Sequence, residues 1–339
     1  MSEHGGRLRW AAAHYGIPLN EWLDLSTGIN PNPWPVPEIP LSLWQRLPEE
    51  EDELLESAAR YYGTSLLLPV AGSQQAIQLL PRVAPHGVVG VVSPTYNEHG
   101  RAWLAGGHGV VTVSPHGVEE ALREVTTLVV VNPNNPSGQV WNRLQLLSWR
   151  EKLARKGGWL VVDEAFMDTD DQESLCRDVG LPGLVVLRSL GKFFGLAGAR
   201  VGFLLGEESL LQKVARLQGP WPLSNPSRWL AAMALSDTEW QTTNRQRLLG
   251  ESQRLGQLWR QLGYPPVGGT SLFQWIIFEE ARGLQEQLAK RGILLRAFDQ
   301  PASLRCGLPG DEAQWQRLQE ALEQCVPCEG RGDHGEGNG

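Results

Sequence analysis

The chain has 339 residues, a formal net charge of −8 at pH 7 and a hydrophobic fraction of 41%. This length allows about two domains, and the acidic balance argues against a nucleic-acid-binding protein. No apolar run reaches the roughly 18–20 residues that span a bilayer, and the first residues lack the apolar segment of a signal peptide. The four cysteines are too few and too unevenly spaced for a disulfide framework, which favours a reducing, cytoplasmic location.

Residues 1–40 predict an extended N-terminal arm. A short helical pattern at 8–15 is followed by five prolines between positions 31 and 40, and proline is excluded from regular helices and central strands. Helical patterns return at 49–62 and 76–83. Gly72, Ser73 and Gln74 come just before the second pattern, where free backbone N–H groups at a helix start could hold a phosphate.

Short apolar runs then alternate with helical patterns, as expected for buried parallel strands covered by helices on both faces. The predicted strands are 88–93, 110–113, 128–131, 159–162, 184–187 and 201–205. We therefore expect an α/β fold, with a mainly parallel central sheet in a large domain at 41–222. A Pro-Trp-Pro break ends that domain, a smaller α+β domain follows at 223–326, and the Gly-rich tail at 327–339 is predicted to be disordered.

The stretch 188–202 contains a lysine among small and apolar residues, with Ser189 before it and Arg200 eight residues after it. A buried lysine favours the neutral amine that attacks carbonyls, and this residue is Lys192. Ser189 and Arg200 could hold a neighbouring anion. A carbonyl cofactor that carries a phosphate would use all three groups, and pyridoxal 5'-phosphate is such a cofactor.

Other polar clusters follow the predicted strands, where ligands bind in open α/β sheets. Asp163 follows the strand 159–162 and could keep the cofactor's pyridine nitrogen protonated. Tyr96 could stack on the ring face, and the Asn135 amide could donate to the ring hydroxyl oxygen. These residues supply the remaining contacts that pyridoxal phosphate chemistry needs.

In combination these motifs resemble fold-type I pyridoxal phosphate enzymes of the class I and II aminotransferase family. Asn135 precedes Pro-Ser-Gly, Asp163 precedes Glu-Ala-Phe, and Lys192 stands eight residues before Arg200. The resemblance implies the fold-type I architecture, a homodimer and a carboxylate-binding arginine at Arg305, for which a planar guanidinium is well suited.

Further features resemble the cobalamin-biosynthesis L-threonine-O-3-phosphate decarboxylases: the N-terminal His-Gly-Gly, the stretch 24–31, Gly-Pro-Trp at 219–221, and Phe166, where aminotransferases usually have tyrosine. This resemblance implies decarboxylation of a small phosphorylated amino acid to (R)-1-amino-2-propanol O-2-phosphate. It also implies the substrate-binding residues His4, Gly5, Asn30, Asn135, Arg296 and Arg305.

Two alternatives remain at this point. A histidinol-phosphate-type aminotransferase could use the same residues. In that reaction Lys192 would move a proton between Cα and the cofactor carbon, and no CO2 would be released. A non-catalytic regulator or scaffold with this fold is the second alternative, although the lysine, aspartate and arginine needed for catalysis are all present. The pair Cys325 and Cys328 lacks a second cysteine pair, so we expect no metal site.

Overall fold

The computed structural model describes residues 4–326, so the predicted disordered tail lies outside the described residues. Internal contacts divide the chain into a large unit, residues 32–247, and a small unit formed by the N-terminal residues up to 31 together with those from 248 onward. The sequence had assigned 32–40 to the arm and 223–247 to the second domain. Both segments belong to the large unit by their internal contacts. The proline-rich breaks in the sequence therefore do not coincide with the boundaries between the units.

Strands β1–β13 are Leu23–Asp24, Leu67–Val70, Val88–Val92, Gly109–Val113, Thr127–Val131, Trp159–Asp163, Leu184–Ser189, Gly202–Gly206, Gly268–Thr270, Phe273–Ile277, Ile293–Leu294, Arg296–Asp299 and Ala302–Gly307. Helices α1–α12 are Leu8–Tyr15, Ser42–Gln45, Leu54–Tyr62, Ser73–Leu79, Glu98–Ala105, Val118–Ala121, Arg143–Ala154, Glu208–Gln218, Asn225–Ser236, Thr238–Gln261, Ala281–Ala289 and Glu312–Cys325. None of these helices is long and apolar enough to cross a membrane.

The large unit is built on a seven-stranded sheet with the order β2-β8-β7-β6-β5-β3-β4. Every pairing is parallel except the two made by β8. The central strands β5 and β7 are buried at every residue, as their continuous Val/Leu-rich sequences predicted. The predicted α/β fold with a mainly parallel sheet is therefore confirmed, and the antiparallel edge strand β2 was not predicted.

In the small unit, β9, β10, β12 and β13 form an antiparallel sheet with the order β12-β13-β10-β9. The N-terminal segment joins this unit because β1 pairs in parallel with β11, placing Leu23 opposite Ile293. The Gly307 N–H also donates to the Leu25 carbonyl at 2.7 Å. The arm is therefore tied to the C-terminal part of the chain by main-chain hydrogen bonds.

Residues 227–262, which carry a long helical pattern with one or two interruptions, form two helices, α9 and α10. Asp237 interrupts it with a ψ of 77°, outside the helical region. The Asp237 carboxylate then accepts a hydrogen bond from the Trp240 N–H at 3.0 Å, which caps the start of α10. An aspartate that satisfies a free N–H in this way favours a helix start over a helix interior.

Candidate active site

A cavity of about 160 Å³ opens at the carboxyl ends of the central strands in the large unit. Asp163 ends β6 and Ser189 ends β7, so the parallel arrangement brings these distant residues to the same edge of the sheet. Eight of the predicted cofactor residues line this cavity: Ser73, Gln74, Tyr96, Asn135, Asp163, Ser189, Lys192 and Arg200. The sheet thus gathers residues that lie up to 127 positions apart, from 73 to 200.

One end of the cavity has the features of an anion site. Gly72 immediately precedes α4 and has a φ of 73°. A Cβ at this position would lie 2.5 Å from Arg200 Nη2, so glycine lets the guanidinium approach the helix start. Arg200 itself has a φ of 54°, an uncommon conformation for a residue with a side chain. The Ser189 hydroxyl accepts a hydrogen bond from the Gly191 N–H at 3.1 Å.

The apolar sequence around Lys192 predicts a buried lysine. In the structure Lys192 is instead partly exposed in this cavity. Its Nζ lies 5.3 Å from the centre of the Phe166 ring, and Phe166 is almost completely buried. The apolar ring bounds the space next to the amine, and the open side leaves the amine accessible to a ligand. The amine and the ring therefore belong to the same cavity.

Asp163 is held by two hydrogen bonds. Its Oδ1 accepts from the Ala165 N–H at 3.1 Å, and its Oδ2 lies 2.9 Å from His99 Nε2. His99, on α5, is buried and was not selected from the sequence. The only sequence signal was its position three residues after Tyr96. The Tyr96 and His99 rings lie edge to face with centroids 6.2 Å apart.

The polar residues on the remaining walls are also supported by neighbours. The Tyr96 hydroxyl donates to Gln74 Oε1 at 3.0 Å, linking the segment after β3 to α4. Next to Asn135, the Asn134 amide donates to the Pro94 carbonyl at 2.9 Å and to the Ser137 hydroxyl at 2.7 Å. Asn134 thus holds the loop that presents Asn135 to the cavity.

A second cavity, of about 190 Å³, lies within the small unit. His4, Gly5 and Arg296 line it, together with Ser26 and Arg282. A Cβ at Gly5 would lie 2.3 Å from the Ser26 carbonyl oxygen, so only glycine allows the backbone to pass this closely. The Gly6 N–H donates to the Ser26 hydroxyl at 2.8 Å. Three predicted substrate residues are thereby brought together.

Arg296 and Arg305 are directly opposite each other in the antiparallel pair β12–β13. Arg305 is buried and donates to the Ser26 carbonyl. Burial and the positive charge of Arg296 lower the pKa of Arg305 to about 9, and the Asp24 carboxylate opposes this shift. Two facing cations with one nearby carboxylate favour an anionic ligand.

Asn30 is buried in the same unit but does not line the second cavity. Among residues 4–326, no group of three or more His, Cys, Asp and Glu side chains is arranged to hold a metal ion. Cys328 lies outside the described residues.

Residues 47–322 match the model of the aminotransferase class I and II family. The chain belongs to this family. It is 55% identical to a threonine-phosphate decarboxylase of Pseudomonas aeruginosa, over 95% of this chain and 97% of that protein. It is 41% identical to a threonine-phosphate decarboxylase of a Sinorhizobium species, over 94% of this chain and 97% of the relative.

The same fold is found in the solved structure of a histidinol-phosphate aminotransferase from Sinorhizobium meliloti in complex with pyridoxal 5'-phosphate. The two structures agree with a TM-score of 0.82 at 21% identity, over 96% of this chain and 95% of the other. This likeness confirms the fold-type I architecture expected for a class I and II aminotransferase.

The protein uses pyridoxal 5'-phosphate, as its family does, and the residues of the large-unit cavity fit this cofactor. Arg200, Ser73 and Ser189 line this cavity as a group that could bind a phosphate, and Gly72 leaves the space that Arg200 occupies. Asp163 is a buried carboxylate that can hold a proton on the ring nitrogen. Lys192 lines the same cavity and carries the amine that a carbonyl cofactor would need. The predicted cofactor therefore agrees with the donor set of this cavity.

Proposed function

We propose that the protein is a pyridoxal phosphate-dependent L-threonine O-3-phosphate decarboxylase of cobalamin biosynthesis. The observation that carries this proposal is the 55% identity to a threonine-phosphate decarboxylase over nearly the whole of both chains. The reaction releases CO2 from Cα and adds a proton there, giving (R)-1-amino-2-propanol O-2-phosphate. Neither an oxidant nor a second substrate is needed.

In the large unit, each proposed role follows from the chemistry of its side chain. When bound, the cofactor accepts the electron pair of the Cα–carboxylate bond. Asp163 holds the proton on the ring nitrogen, and Asn135 donates to the ring hydroxyl oxygen. Lys192 Nζ holds the cofactor before substrate enters and donates the proton to Cα after CO2 has left.

In the small unit, the cross-strand arginines support a substrate with two anionic groups. We assign the substrate carboxylate to Arg305, whose burial enforces a defined orientation. We assign the phosphate to His4, Gly5 and Arg296, which line the second cavity, and to Asn30 on the family resemblance alone. Holding the carboxylate in one orientation matters because the bond that breaks must stand perpendicular to the cofactor ring.

Phe166 favours decarboxylation over the aminotransferase alternative. It occupies the position next to Lys192 where aminotransferases usually carry a tyrosine hydroxyl. The test is to incubate the purified, cofactor-loaded protein with L-threonine O-3-phosphate and measure CO2, with Lys192→Ala as the inactive control. Turnover of histidinol phosphate that depends on 2-oxoglutarate, without CO2 release from threonine phosphate, would overturn the assignment.

We further propose a cytoplasmic homodimer. Segment 41–47 of the large unit exposes three large apolar side chains, Leu41, Trp44 and Leu47, each more than 60% accessible. Such a group of exposed apolar residues is typical of an interaction surface. Sedimentation equilibrium checks the mass, and a Trp44→Glu and Leu47→Glu double variant should shift it toward the 37.5 kDa of one chain.

A further inference from the structure

A buried ionic cluster lies beside the cofactor cavity without lining it. Arg188 donates through Nη1 to Glu164 Oε2 at 2.8 Å and through Nη2 to Asp168 Oδ1. All three side chains are at most 2% exposed. One cation thus joins two carboxylates inside the large unit.

Two members of this cluster, Glu164 and Arg188, are each adjacent in sequence to a proposed cofactor residue. Glu164 follows Asp163 at the end of β6, and Arg188 precedes Ser189 at the end of β7. Consecutive strand residues point to opposite faces of a sheet. Asp163 and Ser189 line the cavity, whereas Glu164 and Arg188 do not, and their side chains meet each other instead.

Main-chain contacts strengthen the link between the two strand ends. Asp163 is opposite Leu187 in the ladder, and the Glu164 N–H donates to the Leu187 carbonyl at 2.9 Å. The Glu164 carboxylate also accepts from the Leu175 N–H at 2.7 Å and the Ser174 hydroxyl at 2.6 Å. The ends of β6 and β7 are therefore joined both through the backbone and through an ion pair.

Asp168 extends the cluster to two further elements. Its Oδ1 accepts from the Tyr61 hydroxyl of α3 at 2.9 Å, and its main-chain oxygen accepts from Arg245 Nε of α10 at 2.8 Å. Arg188 additionally lies over the Tyr62 ring, 5.0 Å from its centre. The segment that follows Asp163 is thus fixed at Glu164 and again at Asp168.

Burial of ions is weak evidence for a role in stability alone, because apolar side chains of similar volume often stabilise a core as well or better. A specific geometry is the better explanation for retaining three of them next to a binding site. In the proposed cofactor site, Asp163 would contact the ring nitrogen and Ser189 the phosphate. Binding groups of this kind need to be held within about 0.5 Å of the productive geometry.

We propose that Arg188, Glu164 and Asp168 are positioning residues that set the distance and orientation of Asp163 relative to Ser189 for the cofactor. The inference rests on the proposed pyridoxal phosphate site but not on the identity of the substrate. It goes beyond the residues that touch the cofactor, because none of the three lines the cavity.

The test compares cofactor affinity and the absorbance spectrum of the bound cofactor in Arg188→Met, Arg188→Lys and the wild type. At metal sites, mutation of a residue that hydrogen-bonds to a metal ligand weakens metal binding by about 10- to 100-fold. We expect a loss of about that size in Arg188→Met, with an altered spectrum, and partial recovery in Arg188→Lys. Glu164→Gln and Asp168→Asn, which are nearly isosteric, provide the same readouts if Arg188→Met does not fold.

Arg228→Met is the matched control. Arg228 is also a buried arginine of the large unit, paired through two nitrogens with Asp52 at 2.6 and 2.7 Å, and it does not line the cofactor cavity. We expect it to lower the melting temperature but to leave cofactor affinity within about twofold. Unchanged affinity and spectrum in a folded Arg188, Glu164 or Asp168 variant would overturn the proposal, as would an equal loss in Arg228→Met. Neither readout needs substrate, so the result is independent of the CO2 assay.

Discussion

His99 Nε2 lies 2.9 Å from Asp163 Oδ2, and both side chains are almost completely buried. The imidazole holds one carboxylate oxygen, and the Ala165 N–H holds the other. Asp163 therefore presents a fixed carboxylate to the cavity. The interaction joins α5 to the end of β6, so the orientation of the proposed ring-nitrogen partner depends on a residue 64 positions away.

Replacing His99 with phenylalanine should preserve most of the ring volume and remove this hydrogen bond. Asp163 would then have one support fewer, and we expect a fall in kcat of about 10- to 100-fold, by analogy with supporting residues behind metal ligands. Steady-state kinetics with threonine phosphate measures the effect. His116→Phe, at an exposed histidine of the same unit, is the control. Equal kinetics in the two variants would contradict the role of His99.

The facing arginines predict that inorganic phosphate stabilises the cofactor-loaded protein. A phosphate bound at Arg296 would offset the repulsion between Arg296 and Arg305, and ligand at 100 times its Kd stabilises the folded state by about 2.7 kcal/mol. Thermal unfolding in phosphate and in chloride at equal ionic strength measures this. The cofactor must be saturating so that its own phosphate site is filled.

Arg296→Met should abolish the phosphate-dependent increase in Tm. Arg254→Met, which removes an exposed pair with Glu312 in the same unit, should retain it. A phosphate response that survives in Arg296→Met would show that the anion binds elsewhere.

Phe166→Tyr should shift the pH dependence of the bound cofactor's absorbance to lower pH. A hydroxyl at this position, next to Lys192, would donate to the ring oxygen and stabilise its anionic form. One such hydrogen bond to a charged group contributes about 1.5 kcal/mol, equivalent to about one pH unit. Absorbance titration of both loaded proteins tests this, and a shift to higher pH would contradict the assigned orientation of Phe166.

The buried Glu164 carboxyl should make the stability of the protein depend on pH. Burial raises the pKa of the Glu164 carboxyl, and the Arg188 charge offsets this only in part. An acid with a raised pKa in the folded state contributes stability that is fully present below its unfolded value of 4.5 and is lost as pH rises through the folded-state value. Relative to Glu164→Gln, the wild type should thus be most stable near pH 4.5 and lose that advantage toward neutral pH.

Melting temperatures of the two proteins at several pH values between 4.5 and 7.5 measure this difference. Glu312→Gln is the control of opposite sign, because a hydrogen bond from Arg254 lowers the pKa of that exposed carboxyl. Its small contribution is present above pH 4.5 and lost as pH falls. An advantage of Glu164 over glutamine that grows with pH would contradict the prediction.

The fold class and most of the cofactor cavity were predictable from the sequence. Short Val/Leu-rich runs that alternate with helical patterns indicate a buried parallel sheet, and parallel strands bring the residues after each strand to one edge. Asp163, Ser189 and Lys192 could be placed at the cavity for this reason. Their residue types, an acid, a hydroxyl and an amine, indicated the cofactor because each supplies a different contact.

The partners of these residues were decided only by the tertiary structure. His99 and the cluster of Arg188, Glu164 and Asp168 carry no sequence pattern of their own, since a histidine on a helix or a charge beside a strand is ordinarily exposed. Only the packing of α5 against the sheet, and the register of β6 with β7, show which charges meet in the interior.

The same holds for the small unit. The sequence identified Arg296 and Arg305 through a family resemblance, and periodicity could place each on a strand. Their direct opposition depends on the register of β12 with β13, because a shift of one residue would turn one side chain to the other face. Local patterns thus determined the elements and the kinds of chemical group, whereas long-range pairing decided which groups act together.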